Sequence, residues 1–151
     1  MQLVRSIVIA CALAAPSAAL AQVAVTDPWV RGTVPAQKAT GAFMQLKSAA
    51  DATLVGVASP VAGVAEIHEM KMDGSVMRMG AVPKVDLPAG TVVTFGPGTY
   101  HVMLMDLKQP LKEGERVPLT LTFADAGGKR FTVDVQAPVR ALGAPASPHK
   151  H

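Results

Sequence analysis

Past its first two dozen residues the sequence nowhere sustains a 3.6-residue hydrophobic period; it is cut into short runs rich in Val, Thr, Leu and Phe, separated by Gly, Pro and Asp. Runs this short favour strands over helices. Strands are predicted at residues 23–30, 41–47, 53–58, 64–72, 76–79, 91–95, 100–107, 117–124 and 130–136. Their number and spacing suggest an all-β sandwich or barrel. Asp73-Gly74 and Gly127-Gly128 carry hairpin turn chemistry and imply antiparallel neighbours. Pro118 demotes the start of its strand to an edge or an irregular beginning, because proline has no N–H for a ladder. One domain spanning residues 22–136 is expected. The tail, 137–151, is rich in Ala and Pro without periodicity and is expected to fray, with Val139 or Leu142 available to dock.

The N-terminus joins Arg5, an apolar run from Ser6 to Ala15 and the small-residue pattern Ala19-Leu20-Ala21. This is the pattern of a secretory signal peptide, residues 1–21, cleaved after Ala21. The run is too short for a permanent span, so no stable membrane insertion is expected. Cys11 is preceded by Val8-Ile9-Ala10, a loose match to a lipoprotein processing site, but a cut there leaves an apolar region of only a few residues. Cleavage after Ala21 leaves 130 of the 151 residues and no cysteine. No disulfide then staples the domain and no thiolate is available to a metal, so stability must come from a packed core. Without Arg5, thirteen basic residues face eleven acidic ones and lie scattered, which gives nucleic acid binding no support.

The chemistry is concentrated between His68 and Met105, where six of the eight methionines and two of the four histidines fall. Period-two alternation puts Glu66, His68, Met70 and Met72 on one face of a strand, and Met77 and Met79 on one face of the next. In a third strand Tyr100, Val102 and Leu104 are expected in the core, leaving His101, Met103 and Met105 opposite. The Asp73-Gly74 turn folds Met79 back toward His68. Whether the His101 strand lies alongside is left open by the sequence. If it does, His68, Met79, His101 and Met103 offer two imidazoles and two thioethers, a neutral set suited to a soft monovalent ion such as Cu(I). Methionine is also a flexible core filler, and for Met44, inside Ala42-Phe43-Met44-Gln45-Leu46, packing is the expected role.

The spacing His68, ten residues, Met79, twenty-one residues, His101, one residue, Met103 resembles the signature of the periplasmic copper chaperone family PCu(A)C. Surrounding words agree, among them Leu54-Val55-Gly56-Val57-Ala58-Ser59-Pro60, Glu66-Ile67-His68-Glu69, Leu87-Pro88-Ala89-Gly90 and Pro97-Gly98-Thr99-Tyr100-His101-Val102-Met103-Leu104. Lys47-Ser48 stands where an Asn is common. The resemblance covers nearly the whole exported domain. It implies a cupredoxin-like Greek-key β-sandwich with Cu(I) held by His68, Met79, His101 and Met103. It further implies delivery in the periplasm to an acceptor such as the dinuclear copper centre of cytochrome c oxidase subunit II. Some members carry a His- and Met-containing C-terminal extension that binds Cu(II); here His149 and His151 are the only candidates for such a second site.

Glu66, Glu69 and Asp106 lie near these residues in sequence and are candidates to orient an imidazole or offset the ion's charge. Met70, Met72, Met77 and Met105 are either a hand-off rim or packing. A blue-copper electron carrier requires a cysteine thiolate that the exported chain lacks. A metal hydrolase built on His68, His101 and a glutamate is disfavoured by the thioethers. Copper storage or detoxification, and an exported binding sandwich without metal, are the remaining alternatives. No enzymatic turnover is expected, and a monomer is the expected state.

Overall fold

The computed structural model describes residues 22–141 as strands and turns. The signal-peptide reading, Leu142 and the two tail histidines His149 and His151 lie outside the described residues. The strands are β1 (Val23–Arg31), β2 (Ala39–Ser48), β3 (Ala52–Ala58), β4 (Ala62–Asp73), β5 (Val76–Ala81), β6 (Val85–Leu87), β7 (Val92–Phe95), β8 (Tyr100–Leu107), β9 (Arg116–Asp125) and β10 (Arg130–Arg140).

All nine predicted segments are strands, and β6 is an addition, three residues pairing with β3. The domain also extends further than expected. β10 does not stop at Gln136: Ala137 and Val139 are buried, and Val139 pairs with Val30 of β1, so residues 137–140 belong to the sandwich and not to a fraying tail.

Two sheets face each other. The first runs β5-β4-β8-β2-β1, with β7 beside the C-terminal half of β2, and the second runs β10-β9-β3-β6. They join at β10, which pairs antiparallel with β9 along most of its length and parallel with β1 at its end. The chain passes from sheet to sheet at β2–β3, β3–β4, β5–β6, β6–β7 and β8–β9, the connectivity of a cupredoxin-like β-sandwich.

Alternation explains the core. Val117, Leu119, Leu121 and Phe123 of β9 join Leu46, Val102, Leu104 and Ile67 of the first sheet in one core, to which Leu54 and Leu87 of the second sheet and Phe95 of β7 also belong. Each such side chain stabilises the fold by roughly 1.5–3 kcal/mol relative to exposure. Met44, 2% exposed, belongs to this core as its sequence context implied. Pro118 lies beyond the β3 ladder, which reaches only Thr120, and its carbonyl accepts from Ser59 Oγ at 2.7 Å. Its strand is therefore locally an edge, which is where proline is tolerated.

A β-bulge decides what stands on the outer face of the first sheet. Between Thr26 and Trp29 β1 carries one residue more than β2, and Asp27 adopts φ 52° there. An extra residue flips the side chains that follow to the opposite faces. Val30 thus enters the core, while Trp29, cross-strand from Phe43, lies outside it on the other face.

Candidate metal centre

The β4–β8 ladder sets His68 directly opposite His101 and Glu66 opposite Met103. The β4–β5 hairpin sets Met70 opposite Met79 and His68 opposite Ala81. Directly opposed residues share a face, and diagonal neighbours about 7–8 Å apart are within reach of long side chains. Met79 and Met103 are therefore the diagonal neighbours of His68 on its two sides. The register brings the four predicted residues onto one patch of the outer face. The hairpin turns at Gly74, whose φ of 64° suits glycine, so the Asp73-Gly74 signal marks this turn correctly.

The two imidazoles differ in setting. Their ring centroids are 5.6 Å apart. His68 Nε2 lies 2.8 Å from Glu66 Oε2. A carboxylate only accepts, so Nε2 carries the proton and donates, which leaves the lone pair on Nδ1. That Nδ1 is buried and, among the described residues, has no hydrogen-bond partner. An orphaned buried nitrogen is costly unless something else is meant to meet it. His101 is 7% exposed and lies under Phe43, whose ring centroid is 6.3 Å away. Burial, then the neighbouring His68, then the Arg31 guanidinium push its pKa down from the ordinary value. The His101 ring is thus prepared as a neutral donor.

A cleft of about 430 Å³ opens over this patch, lined by Met70, Met79, His101 and Met103 together with Arg31, Gln37, Phe43 and the Pro97-Gly98 turn. Met79, on edge strand β5, is half exposed and forms the open side. A larger groove of about 620 Å³, around Val23, Lys47, Phe131 and Val133, offers no imidazole or thioether. Among the described residues, no three of His, Cys, Asp and Glu stand close enough to hold a metal together. An ion in the cleft would have to draw on sulfur, and neutral N and S donors select soft ions.

Of the three nearby carboxylates, Glu66 touches a candidate ligand and the others do not. Glu69 is cross-strand from Tyr100 and paired with Lys71 at 3.2 Å. Asp106 packs over Gly63, five residues along β8 from His101, which removes it from the site. Sequence reasoning missed the aromatic support. Trp29 packs against Phe43 in a tilted arrangement at 4.6 Å, Arg31 lies over Phe43 at 5.4 Å and Arg140 over Trp29 at 5.0 Å. Arg140 is held in turn by Asp27 at 2.9 Å. Gly41, opposite Met103, leaves the space that the Phe43 ring occupies: a Cβ there would stand 2.9 Å from Phe43 Cζ. The Asp27-Pro28 interruption before Trp29 was the available signal.

Fold and site together define a cupredoxin-like β-sandwich with a histidine–methionine cleft on the outer face of one sheet. The LpqE-like family, described as "Putative lipoprotein LpqE-like", matches residues 23–139, and the chain belongs to this family, the PCuAC family. It is 32% identical over 117 residues to "Putative lipoprotein Lxx21020" of Leifsonia xyli subsp. xyli, covering 76% of this chain and 69% of that one. Among solved structures it is similar to apo-DR1885 of Deinococcus radiodurans, 32% identical with a TM-score of 0.59, over 95% of this chain and 98% of the other. The Cu(I) form of DR1885 aligns with 36% identity and a TM-score of 0.59, over 82% and 83%. The apo PCuAC domain of PmoF1, at 24% identity, shares the fold with a TM-score of 0.63 over 80% and 94%.

Proposed function

We propose that this chain is an exported copper chaperone that holds one Cu(I) through His68, Met79, His101 and Met103 and passes it to an acceptor protein. The observation that carries this reading is the pairing of His68, whose buried Nδ1 has no partner among the described residues, with His101, which lines a cleft together with the thioethers of Met70, Met79 and Met103. The Cu(I) form of the 36% identical DR1885 supports the choice of ion. Thioethers need no deprotonation, so the ion competes with protons only at the two imidazoles. A site with Met79 at its open edge suits transfer by stepwise replacement of one ligand at a time, with no free ion released.

The signal-peptide pattern supports a periplasmic site of action, and the name of the family keeps a lipid-anchored form through Cys11 as the alternative. The acceptor proposed is the dinuclear copper centre of cytochrome c oxidase subunit II, with the chaperone acting as a monomer and catalysing no reaction. His149 and His151 are proposed only as an auxiliary Cu(II) site. Competition titration with a chromophoric Cu(I) chelator tests the ligand set. The double variant His101→Ala/Met103→Ala should lose tight binding, and unchanged affinity would remove the assignment. Transfer from the loaded chain to an oxidase subunit tests the acceptor; failure there with intact binding would favour storage or detoxification.

A further inference from the structure

The β4–β5 hairpin projects beyond the cleft and divides its residues cleanly between two faces. On one face Lys71 stands opposite Arg78, and both charges are paired: Lys71 with Glu69 at 3.2 Å and Arg78 with Asp73 at 2.8 Å. On the other face Met70 stands opposite Met79 and Met72 opposite Met77. Met72 is 61% exposed and Met77 50%, so neither packs a core as Met44 does. Thioethers held this far out of the core gain little from hydrophobic burial.

We infer that Met72 and Met77 form a second site for a soft monovalent cation, Cu(I) or its analogue Ag(I), one rung outboard of Met79. This inference rests on the reading of the cleft as a Cu(I) site. Directly opposed side chains on antiparallel strands have Cβ atoms about 5 Å apart, a gap that one soft ion between two sulfurs spans. Methionine's three rotatable bonds let both sulfurs turn to it. Rungs on one face are about 7 Å apart along the strand, which puts the Met72–Met77 pair about 14 Å from the His68–His101 rung. One ion cannot touch both, so the outer pair is a distinct site. Two neutral thioethers without an imidazole hold the ion more weakly than the cleft. The pair therefore serves as an outer station, where Cu(I) exchanges sulfur ligands without change of oxidation state and without proton transfer.

The test is the full chain labelled with ¹³C at the methionine methyls and titrated with Ag(I) alone. The Met79 and Met103 methyls should move up to one equivalent, and those of Met72 and Met77 between one and two, while buried Met44 stays still. Met72 and Met77 methyls that never move, with Met79 and Met103 shifting, would overturn the second site and leave the cleft reading intact. No methionine shift at all would overturn both. The surface variant Met72→Leu/Met77→Leu should keep first-equivalent affinity within about twofold, since the pair lies about one rung, roughly 7 Å, from Met79, the nearest of the four cleft residues, and about 14 Å from the two imidazoles. A fall of tenfold or more would mean that the pair belongs to the primary site, and would overturn its independence.

Discussion

Glu66 Oε2 accepts a hydrogen bond from His68 Nε2 at 2.8 Å, and this one contact decides which nitrogen of the ring is free. Both residues lie on the same face of β4, two positions apart, so strand alternation alone delivers the carboxylate to the imidazole. Removing it should leave the fold intact and loosen the metal. Glu66→Ala is expected to weaken Cu(I) binding by roughly 10–100-fold, the usual consequence of losing a group that orients a ligand. Competition titration at neutral pH checks this, and Glu66→Gln, which retains an acceptor oxygen, should lie between the two.

The depressed pKa of His101 makes the apo protein sensitive to acid. Burial, His68 and Arg31 all oppose its protonated form, so between the folded value and the ordinary 6.5 the unfolded chain binds a proton that the folded chain refuses. Stability is full above about pH 6.5 and declines as pH falls below it. Thermal melts of the apo chain between pH 7.5 and 5 should show this decline. His101→Gln, which has no proton to take up, should flatten it.

The methionines separate by what they touch. Met44 is sealed between the sheets, and Met44→Ala should destabilise the domain by about 2–5 kcal/mol through lost burial and the cavity left behind. Met79 is half exposed on the edge strand, and Met79→Leu should change stability by no more than about 0.5 kcal/mol. Its effect should fall on Cu(I) affinity. Denaturant unfolding read beside metal titration distinguishes packing from ligation, residue by residue.

These distinctions show what was legible in the sequence and what was not. The faces of β4, β5 and β8 follow from period-two alternation, a local property, and the Asp73-Gly74 turn joins two of them. The neighbour relation between β4 and β8 does not follow, because His68 and His101 are 33 residues apart and no local pattern encodes that pairing. β6 escapes because Val85-Asp86-Leu87 is too short to show a period. The end of β10 escapes because the stretch rich in Ala and Pro after Gln136 shows no period; Pro138 still pairs with Arg116 of β9, and from Val139 the strand pairs with β1. The aromatic floor of the cleft escapes because an uninterrupted alternation from Val25 sends Trp29 inward, and only the bulge at Asp27-Pro28 turns it outward.

Gly41 is the residue on which that aromatic floor depends. Its missing side chain is the space over which the Phe43 ring lies, and the ring in turn covers His101. A methyl group at position 41 would meet Phe43 Cζ at 2.9 Å, with Trp29 packed against the same ring and leaving little room for retreat. Gly41→Ala should therefore cost about 1–3 kcal/mol, the range for overpacking a well-filled site. It should also shift Phe43 off His101, letting water reach the imidazole and raising its pKa toward the ordinary 6.5. An NMR titration of the His101 ring protons beside a denaturant melt checks both effects. A destabilised variant with an unmoved His101 titration would mean that the ring covers His101 without controlling its protonation.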